Sequence, residues 1–389
     1  MVSGVGRPGA THSKPFAECL SVSRILPPTL PQVAGLEPYK PGKPIEELER
    51  ELGIKGAIKL ASNENPLGPS PKAQAAVKAC AANLHRYPDG AGYELRKALS
   101  GQLGLPMAQI ILGNGSNELI EFLCRAFVHQ GDEALAAQYA FLMYDKLVTV
   151  AGGRLIEVPL KGFAIDLDAI LAAVTPQTRL IFLNSPHNPA GTAISQEALS
   201  GFLAQVPPGV LVVLDEAYID FADDPQVARG HDFLDSQTPV LVMRTFSKSA
   251  GLAGCRIAYG LGPVEVTDIL NRVRQPFNTS IPAQAAALAA LGDTEHLART
   301  LAVTREGRET FYACFRELGF AYVPSQANFV TVRLGPRAGE VADLLLRRGV
   351  IVRKMASYGL DEYLRISVGL PEENQRFTTE LRAIWSELG

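Results

Sequence analysis

A single lysine, Lys248, stands shortly beyond the apolar stretch 240–243, where a strand is predicted to end. A solvated ammonium group has no structural need for that position, and a lysine that loses solvent becomes an amine nucleophile able to form a Schiff base. Taken alone, an ordinary surface lysine is the simpler interpretation, because lysines are seldom buried. Its chemistry therefore depends on the residues around it.

Asp215 directly follows the fully apolar run 210–214. A carboxylate at that strand end needs a cationic partner if it loses solvent, whereas a cap of the following helix is an equally good interpretation of the residue alone. Together with Lys248 it matches the two demands of pyridoxal phosphate: a lysine amine for its aldehyde and an aspartate that keeps its pyridine nitrogen protonated. The pair therefore predicts this cofactor.

The phosphate of such a cofactor also needs a binding site. The glycine-containing turn 113–117 precedes a predicted helix, so Ser116 and Asn117 offer free backbone N–H groups there. Two hydroxyl groups and a guanidinium group near the lysine add further donors, from Thr245, Ser247 and Arg256. These donors suit a phosphate dianion, although a structural ion pair is the alternative for the arginine.

Four turns rich in polar residues each follow directly after a short, apolar run that is typical of a strand. The runs are 109–112, 180–183, 210–214 and 240–243. Their alternation with helical stretches predicts an α/β fold with parallel strands and crossover helices. Because ligands bind beyond the carboxyl ends of parallel strands, we expect the four turns to converge on one crevice.

The chain of 389 residues is long enough for about two domains. We predict a large cofactor-binding domain over 61–281. The sequence beyond 281 is Ala-rich and then gives short strand-like pieces, so we predict a smaller α+β domain formed by 36–60 and 282–389. Residues 1–35 are predicted to form a flexible N-terminal arm.

Composition argues against several other classes of protein. The 37 Lys and Arg residues nearly balance the 40 Asp and Glu residues, and the net charge of −3 disfavours binding to nucleic acid or to a membrane surface. The apolar runs stop far short of the roughly 18 residues that a membrane span needs. The 5 cysteines are scattered and the 6 histidines lack metal-ligand spacing, so we expect no metal and a reduced, cytoplasmic protein.

Several motifs, taken in order, resemble those of the aminotransferases of fold type I. They are Asn-Pro-Ala-Gly at 188–191, Asp-Glu-Ala-Tyr at 215–218, and Ser-Lys at 247–248 followed by Gly-Cys-Arg at 254–256. More narrowly, the stretches 61–70, 86–89, 113–118 and 364–369 are similar to the histidinol-phosphate aminotransferases. The resemblance runs from about residue 35 to the C-terminus. It implies a large domain with a mostly parallel seven-stranded sheet flanked by helices, and a smaller α+β domain.

This resemblance implies a role for each residue at the cofactor. Lys248 would hold the cofactor and then move a proton on the substrate as general base and acid. Asp215 would pair with the pyridine nitrogen, and Tyr218 and Asn188 would hydrogen-bond the ring oxygen. Tyr87 matches a position that reaches the phosphate across a dimer interface, so a homodimer with shared active sites is implied.

One aromatic residue within 139–144 is implied to lie over the cofactor ring. In the family, the stacking residue belongs to a short motif that ends in a tyrosine. When Tyr144 is aligned with that tyrosine, Phe141 takes the stacking position, and Tyr139 is the alternative. The residue that does not stack is expected to belong to the core.

Substrate contacts are implied in the same way. Arg365 matches the arginine that grips the α-carboxylate of glutamate or 2-oxoglutarate, a bidentate task for which lysine is poorly suited. Tyr39 and Arg353 match positions that hold the phosphate of histidinol phosphate. Further candidates for the pocket wall are Asn63, Asn278 and Asn328.

The implied activity is transfer of an amino group between glutamate and imidazole acetol phosphate, which gives histidinol phosphate in histidine biosynthesis. An aromatic-amino-acid or prephenate-type aminotransferase of the same family is the alternative, because fold alone does not separate the two. A decarboxylase on this scaffold would release carbon dioxide. A non-catalytic regulator would need an added DNA-binding module.

Overall fold

Two β-sheets organise the part of the chain that the computed structural model describes, which is Met1, residues 28–38 and residues 43–389. The strands are β1 Ile58–Leu60, β2 Ile110–Gly113, β3 Glu133–Ala137, β4 Arg154–Val158, β5 Thr178–Asn184, β6 Leu211–Asp215, β7 Val240–Thr245, β8 Ala258–Leu261, β9 Ala321–Val323, β10 Phe329–Arg333, β11 Val350–Lys354 and β12 Tyr363–Ser367.

The α-helices of the described residues alternate with these strands. They are α1 Pro31–Ala34, α2 Ile45–Leu52, α3 Pro71–Cys80, α4 Tyr93–Leu103, α5 Ser116–Phe127, α6 Met143–Val150, α7 Leu167–Ala172, α8 Gln196–Leu203, α9 Val264–Val273, α10 Ile281–Leu291, α11 Thr294–Glu317, α12 Ala338–Arg347 and α13 Pro371–Leu388. Several begin at a side chain that accepts a backbone N–H of the first turn, as Ser70 does for α3 and Ser280 for α10.

The larger sheet has seven strands in the order β2-β8-β7-β6-β5-β3-β4. Successive residues of β5 enter opposite cores, Ile181 and Leu183 on one face and Leu180 and Phe182 on the other. Both faces are covered by helices, which explains why the strands are largely apolar. The neighbouring strands from β4 to β7 are parallel, and β8 is antiparallel to both β7 and β2. The end of β2 therefore lies at the same edge as the ends of β5, β6 and β7.

The smaller sheet has five strands in the order β1-β11-β12-β10-β9. The short strand β1 pairs in parallel with β11, with Ile58 opposite Val350, so a segment early in the chain completes a sheet of the C-terminal region. One side of this sheet packs on an aromatic core that includes Phe311, Phe315 and Phe377.

The predicted α/β architecture, with a mostly parallel seven-stranded sheet and a smaller sheet, is confirmed. The chain divides into two units, residues 1–36 and 37–389, and α1 lies in the first. Helix α10 contributes Ala283, Ala286 and Ala287 to a core of the larger sheet, and the predicted domain limits at 61 and 281 stay predictions. Within the described residues, no helix is both long and apolar enough to cross a membrane.

Candidate active site

A pocket of about 250 Å³ lies at the carboxyl ends of β5, β6 and β7. All the predicted cofactor-binding residues except Tyr87 line it: Ser116, Asn117, Phe141, Asn188, Asp215, Tyr218, Thr245, Ser247, Lys248 and Arg256. Ser62, Glu64 and Asn184 complete its polar wall. The turns therefore converge as the strand pattern predicts, because parallel strands bring their ends to one edge.

Asp215 ends β6 and is only 6% exposed. Its Oδ2 accepts a hydrogen bond from the Tyr144 hydroxyl at 2.6 Å, and its Oδ1 accepts one from the Ala217 backbone N–H at 3.1 Å. Burial raises the pKa of this carboxyl group above its usual value, against the opposing effect of these hydrogen bonds. The site therefore holds a carboxylate that a cationic ligand would stabilise.

Tyr144 is a site residue that the sequence analysis used only as an alignment marker. It is fully buried and stacks on Phe182, with ring centroids 4.5 Å apart. That packing fixes the hydroxyl against Asp215. The sequence signal that could have found it is its place as the final tyrosine of the stretch 139–144, just inside the first turn of α6.

Lys248 follows β7 on a loop and is half-buried. Its Nζ lies 3.4 Å from the Ser62 carbonyl oxygen and 5.6 Å from the centre of the Tyr218 ring. The Tyr218 hydroxyl accepts a hydrogen bond from Asn63 Nδ2 at 3.1 Å, so its own proton is free to be donated. The predicted residue Asn63 thus holds the Tyr218 side chain in place at the pocket wall.

A cradle of backbone and hydroxyl donors closes one end of the pocket. Helix α5 begins at Ser116, directly after Gly115, whose φ is +76°. A Cβ at this glycine would stand 2.2 Å from the Arg256 guanidinium, so only glycine lets the arginine approach the helix N-terminus. Arg256 Nη1 donates to the Ser247 hydroxyl at 3.4 Å, and Thr245 donates to the same hydroxyl at 3.0 Å. The arrangement suits a phosphate group.

Arg365 lies on β12 of the smaller sheet, is 5% exposed and contacts the pocket wall at Asn188. Its Nη1 donates to Asn188 Oδ1 at 2.6 Å and its Nη2 donates to the Ala61 carbonyl oxygen at 2.8 Å. Arg353 lies directly opposite it in the antiparallel pairing of β11 with β12. Like charges in that position repel each other, which favours an anion between them.

Two of the predicted aromatic residues do not line this pocket. Tyr87 is 81% exposed and stacks on Phe277 at 4.8 Å, away from this pocket. Tyr139, with φ of +64°, lines a neighbouring hollow that shares Phe141 with the pocket. Tyr39 lies outside the described residues.

Two of the predicted asparagines serve as supports rather than as pocket wall. Asn278 Nδ2 donates to Glu118 at 2.6 Å, just beneath the cradle. Asn328 is 1% exposed and its Nδ2 donates to the Asn63 carbonyl oxygen at 3.1 Å.

Asn184 is a second residue that the sequence analysis passed over. It ends β5, beside Asp215, and is 4% exposed. Its Nδ2 donates to the Asn188 carbonyl oxygen at 3.3 Å, while its Oδ1 has no hydrogen-bond partner in the described residues. A buried acceptor without a partner is costly, so it indicates a ligand or water at this wall.

The model of the family "Aminotransferase class I and II" matches residues 55–381, which includes every element of this site. The chain belongs to this family. The family predicted from the sequence is thereby confirmed.

Known relatives of this aminotransferase show the same relationship in more detail. It is 47% identical over 355 residues to "Histidinol-phosphate aminotransferase 1" of Nitrosococcus oceani, covering 91% of this chain and 96% of that protein. The crystal structure of histidinol-phosphate aminotransferase from Sinorhizobium meliloti with pyridoxal 5′-phosphate matches with a TM-score of 0.85 and 30% identity, covering 94% of this chain and 99% of that one.

A more distant match defines the fold alone. A variant of aspartate aminotransferase from Thermus thermophilus superposes with a TM-score of 0.79 at 24% identity, covering 92% of this chain and 99% of that one. The predicted fold type I architecture is confirmed by these matches.

Proposed function

We propose that the protein is a pyridoxal-phosphate-dependent histidinol-phosphate aminotransferase. It moves an amino group between glutamate or 2-oxoglutarate and imidazole acetol phosphate or histidinol phosphate, in histidine biosynthesis. The observation that carries this proposal is the juxtaposition in one pocket of Lys248, the buried carboxylate of Asp215 and a phosphate-type cradle at Ser116. The names of relatives 47% and 48% identical to this chain support the same substrate.

The residues of the pocket fit pyridoxal phosphate on three counts. Asp215 is a buried carboxylate whose pKa is raised by burial, as expected of a group that awaits a cationic ring nitrogen. Asn184 Oδ1 is a buried acceptor without a partner. The approach of Arg256 to the N-terminus of α5 depends on Gly115 and leaves backbone N–H groups for the phosphate.

When bound, the cofactor delocalises the electron pair that remains after the substrate carbon loses a proton. Asp215 keeps the ring nitrogen protonated, and Tyr144 orients the carboxylate for that task. Tyr218 donates its free proton to the ring oxygen. Lys248 Nζ would hold the cofactor and, once the substrate amine has displaced it, would take the proton from the substrate carbon and return it at the end of the transfer, as general base and acid. Phe141 covers the ring.

Two arginines of the smaller sheet recognise the substrate. Arg365 binds the α-carboxylate of glutamate in a bidentate manner, exchanging its contact with Asn188 for the ligand. Arg353, opposite Arg365 in the sheet, binds the phosphate of histidinol phosphate, together with Tyr39. An anion between the two guanidinium groups removes their mutual repulsion.

A second copy of the chain completes the site. Tyr87 is 81% exposed and stacks on Phe277, so its ring lies on a surface that a second copy of the chain can contact. We assign Tyr87 to the cofactor phosphate and substrate of the partner subunit in a cytoplasmic homodimer.

The ratio of kcat/KM for histidinol phosphate to kcat/KM for phenylalanine and tyrosine tests this function, with 2-oxoglutarate as acceptor. We expect a preference of about 10²-fold or more for histidinol phosphate, because phenylalanine and tyrosine would leave the phosphate-binding Arg353 without an anion. A preference for phenylalanine or tyrosine would identify an aromatic aminotransferase. Carbon dioxide release without amino-group transfer would identify a decarboxylase.

A further inference from the structure

A buried ion pair lies at the carboxyl edge of the larger sheet, on the face opposite the Asp215 side chain. Arg244 Nε donates to Glu216 Oε2 at 2.7 Å, and the two side chains are 13% and 2% exposed. The other carboxylate oxygen of Glu216 accepts the backbone N–H of Gly230, and Arg244 Nη2 lies 3.2 Å from His231 Nδ1. This pair lines a second cavity, of about 130 Å³, separate from the cofactor pocket apart from the shared Thr245.

The pair connects the two strands that present the catalytic groups. Glu216 directly follows Asp215, and its backbone N–H donates to the Met243 carbonyl oxygen of β7 at 2.9 Å. Arg244 is the next residue of β7, and the same strand leads into the loop that carries Lys248. Because successive residues of a strand face opposite sides, Asp215 turns towards Tyr144 while Glu216 turns towards Arg244.

A third strand holds the arginine from the other side. Arg244 lies opposite Tyr259 of β8 in the antiparallel pairing of the two strands. The Tyr259 ring in turn contacts the Phe246 ring, with centroids 5.5 Å apart, within the segment between Arg244 and Lys248. The ion pair thus fixes β6, β7 and the beginning of the lysine loop to one another.

Stability alone does not explain a charged pair in this place. Two buried charges lose their hydration, and an apolar pair of similar volume is often as stable or more stable. A charged pair does fix geometry, because its hydrogen bonds accept few arrangements. The neighbouring site requires its reacting groups to be placed accurately, since a misplacement of about 1 Å between them costs about 10²-fold in rate.

We propose that Glu216 and Arg244 are positioning residues that set the distance between Asp215 and Lys248. With that distance fixed, Asp215 would meet the ring nitrogen of the cofactor while Lys248 meets its aldehyde carbon. This inference rests on the proposed cofactor, and it assigns neither residue a contact with cofactor or substrate.

The test compares three variants. Arg244→Met leaves Glu216 charged and alone, whereas the double variant Arg244→Met with Glu216→Leu replaces the whole pair by apolar side chains. Arg154→Met is the matched control, because Arg154 pairs with buried Glu133 at 2.6 Å at the opposite edge of the same sheet. The readouts are the urea midpoint of unfolding, the dissociation constant of pyridoxal phosphate and the pH midpoint of the visible absorbance of the bound cofactor.

We expect Arg244→Met to lower the urea midpoint strongly and the double variant to recover it, because no unpaired buried charge remains. The double variant should nevertheless bind the cofactor about tenfold or more weakly than wild type and should show a shifted pH midpoint. Arg154→Met should lower the urea midpoint and leave both cofactor readouts unchanged.

A double variant with wild-type cofactor affinity and pH midpoint would overturn the proposal. A double variant that fails to fold would also overturn it, since the pair would then serve stability. If wild type itself shows no cofactor absorbance that Lys248→Ala abolishes, the proposed function fails instead, so the two failures are distinguishable.

Discussion

Two buried carboxylates at opposite edges of the seven-stranded sheet, Glu133 and Asp215, have opposite surroundings. At the amino edge, Glu133 begins β3 and accepts hydrogen bonds from Thr175 and Arg154, each at 2.6 Å, which hold its pKa below the usual value. At the carboxyl edge, Asp215 ends β6 with a phenol and a backbone N–H as hydrogen-bond donors, and burial raises its pKa. Glu133 therefore has a cationic partner within the fold, whereas Asp215 is placed to bind a cationic ligand.

The difference separates structural charge from functional charge in the same sheet. A carboxylate placed for stability is paired within the fold, and its pKa falls. A carboxylate placed for catalysis is kept buried without a cation until a ligand supplies one, and its pKa rises. The predictions below test this contrast, beginning with the largest expected effect.

Replacing Lys248 with Ala should lower kcat by about 10⁴-fold or more, because the amine that binds the cofactor and moves the substrate proton is gone. Steady-state turnover with histidinol phosphate and 2-oxoglutarate measures this effect. Lys72→Ala is the control, because that side chain is 62% exposed and lies near Asp293, outside the pocket. Turnover retained in Lys248→Ala would contradict the mechanism.

Asp215→Asn should lower kcat/KM by about 10³-fold while raising the free energy of unfolding of the cofactor-free protein at neutral pH. The pKa of Asp215 is higher in the folded than in the unfolded chain, so its ionised form disfavours folding. Its contribution to the free energy of unfolding therefore increases as pH falls through the raised pKa. Urea titrations at several pH values measure this; a less stable Asn variant would show that the carboxylate is already satisfied.

Arg365→Lys should lower kcat/KM for glutamate by about 10²-fold, mainly through KM, because an ammonium group lacks the fork that binds a carboxylate at two oxygens. Arg333→Lys is a suitable control in the same sheet, since Arg333 forms an exposed ion pair with Glu362. Equal losses in the two variants would mean that Arg365 acts through the stability of the sheet.

Tyr144→Phe should reduce kcat/KM by about tenfold, because one hydrogen bond to a charged acceptor is lost while ring stacking on Phe182 is kept. The absorbance spectrum of the bound cofactor should shift with it. An unchanged spectrum and rate would remove Tyr144 from the site and leave it as a core residue.

Glu133→Gln should have the smallest effect on function and a modest effect on stability, about 1 kcal/mol, since its partner Arg154 is 72% exposed. Because the pKa of Glu133 is lowered in the folded protein, its contribution to stability is present at neutral pH and is lost as pH falls through that lowered pKa. This trend is opposite to that of Asp215. Urea midpoints of wild type and Glu133→Gln across pH 3 to 7 measure it, and a change in kcat would contradict the contrast.

The sequence was sufficient for the fold class, the family and the strand ends that carry Asp215 and Lys248, because each depends on local patterns of apolar runs and polar turns. Contacts between distant segments were beyond it. Tyr144 and Asp215 are 71 residues apart, and Asn63 meets Ser367 across 304 residues. The orphaned oxygen of Asn184 is likewise visible only when the packing around it is known.

Some predictions concern contacts with a second copy of the chain or with a bound ligand. Tyr87 lies on the surface of this chain, so its predicted contact belongs to a second copy and stays a prediction. The same holds for the substrate roles of Arg353 and Tyr39, which depend on a bound ligand.

Reduction of the cofactor-loaded protein with sodium borohydride, followed by peptide mass spectrometry, tests the central claim most directly. If the carboxyl edge of the sheet is the cofactor site, a phosphopyridoxyl group is found on Lys248, and Asp215→Asn lowers the yield at a fixed cofactor concentration. Modification of a different lysine, or none at all, would contradict the account.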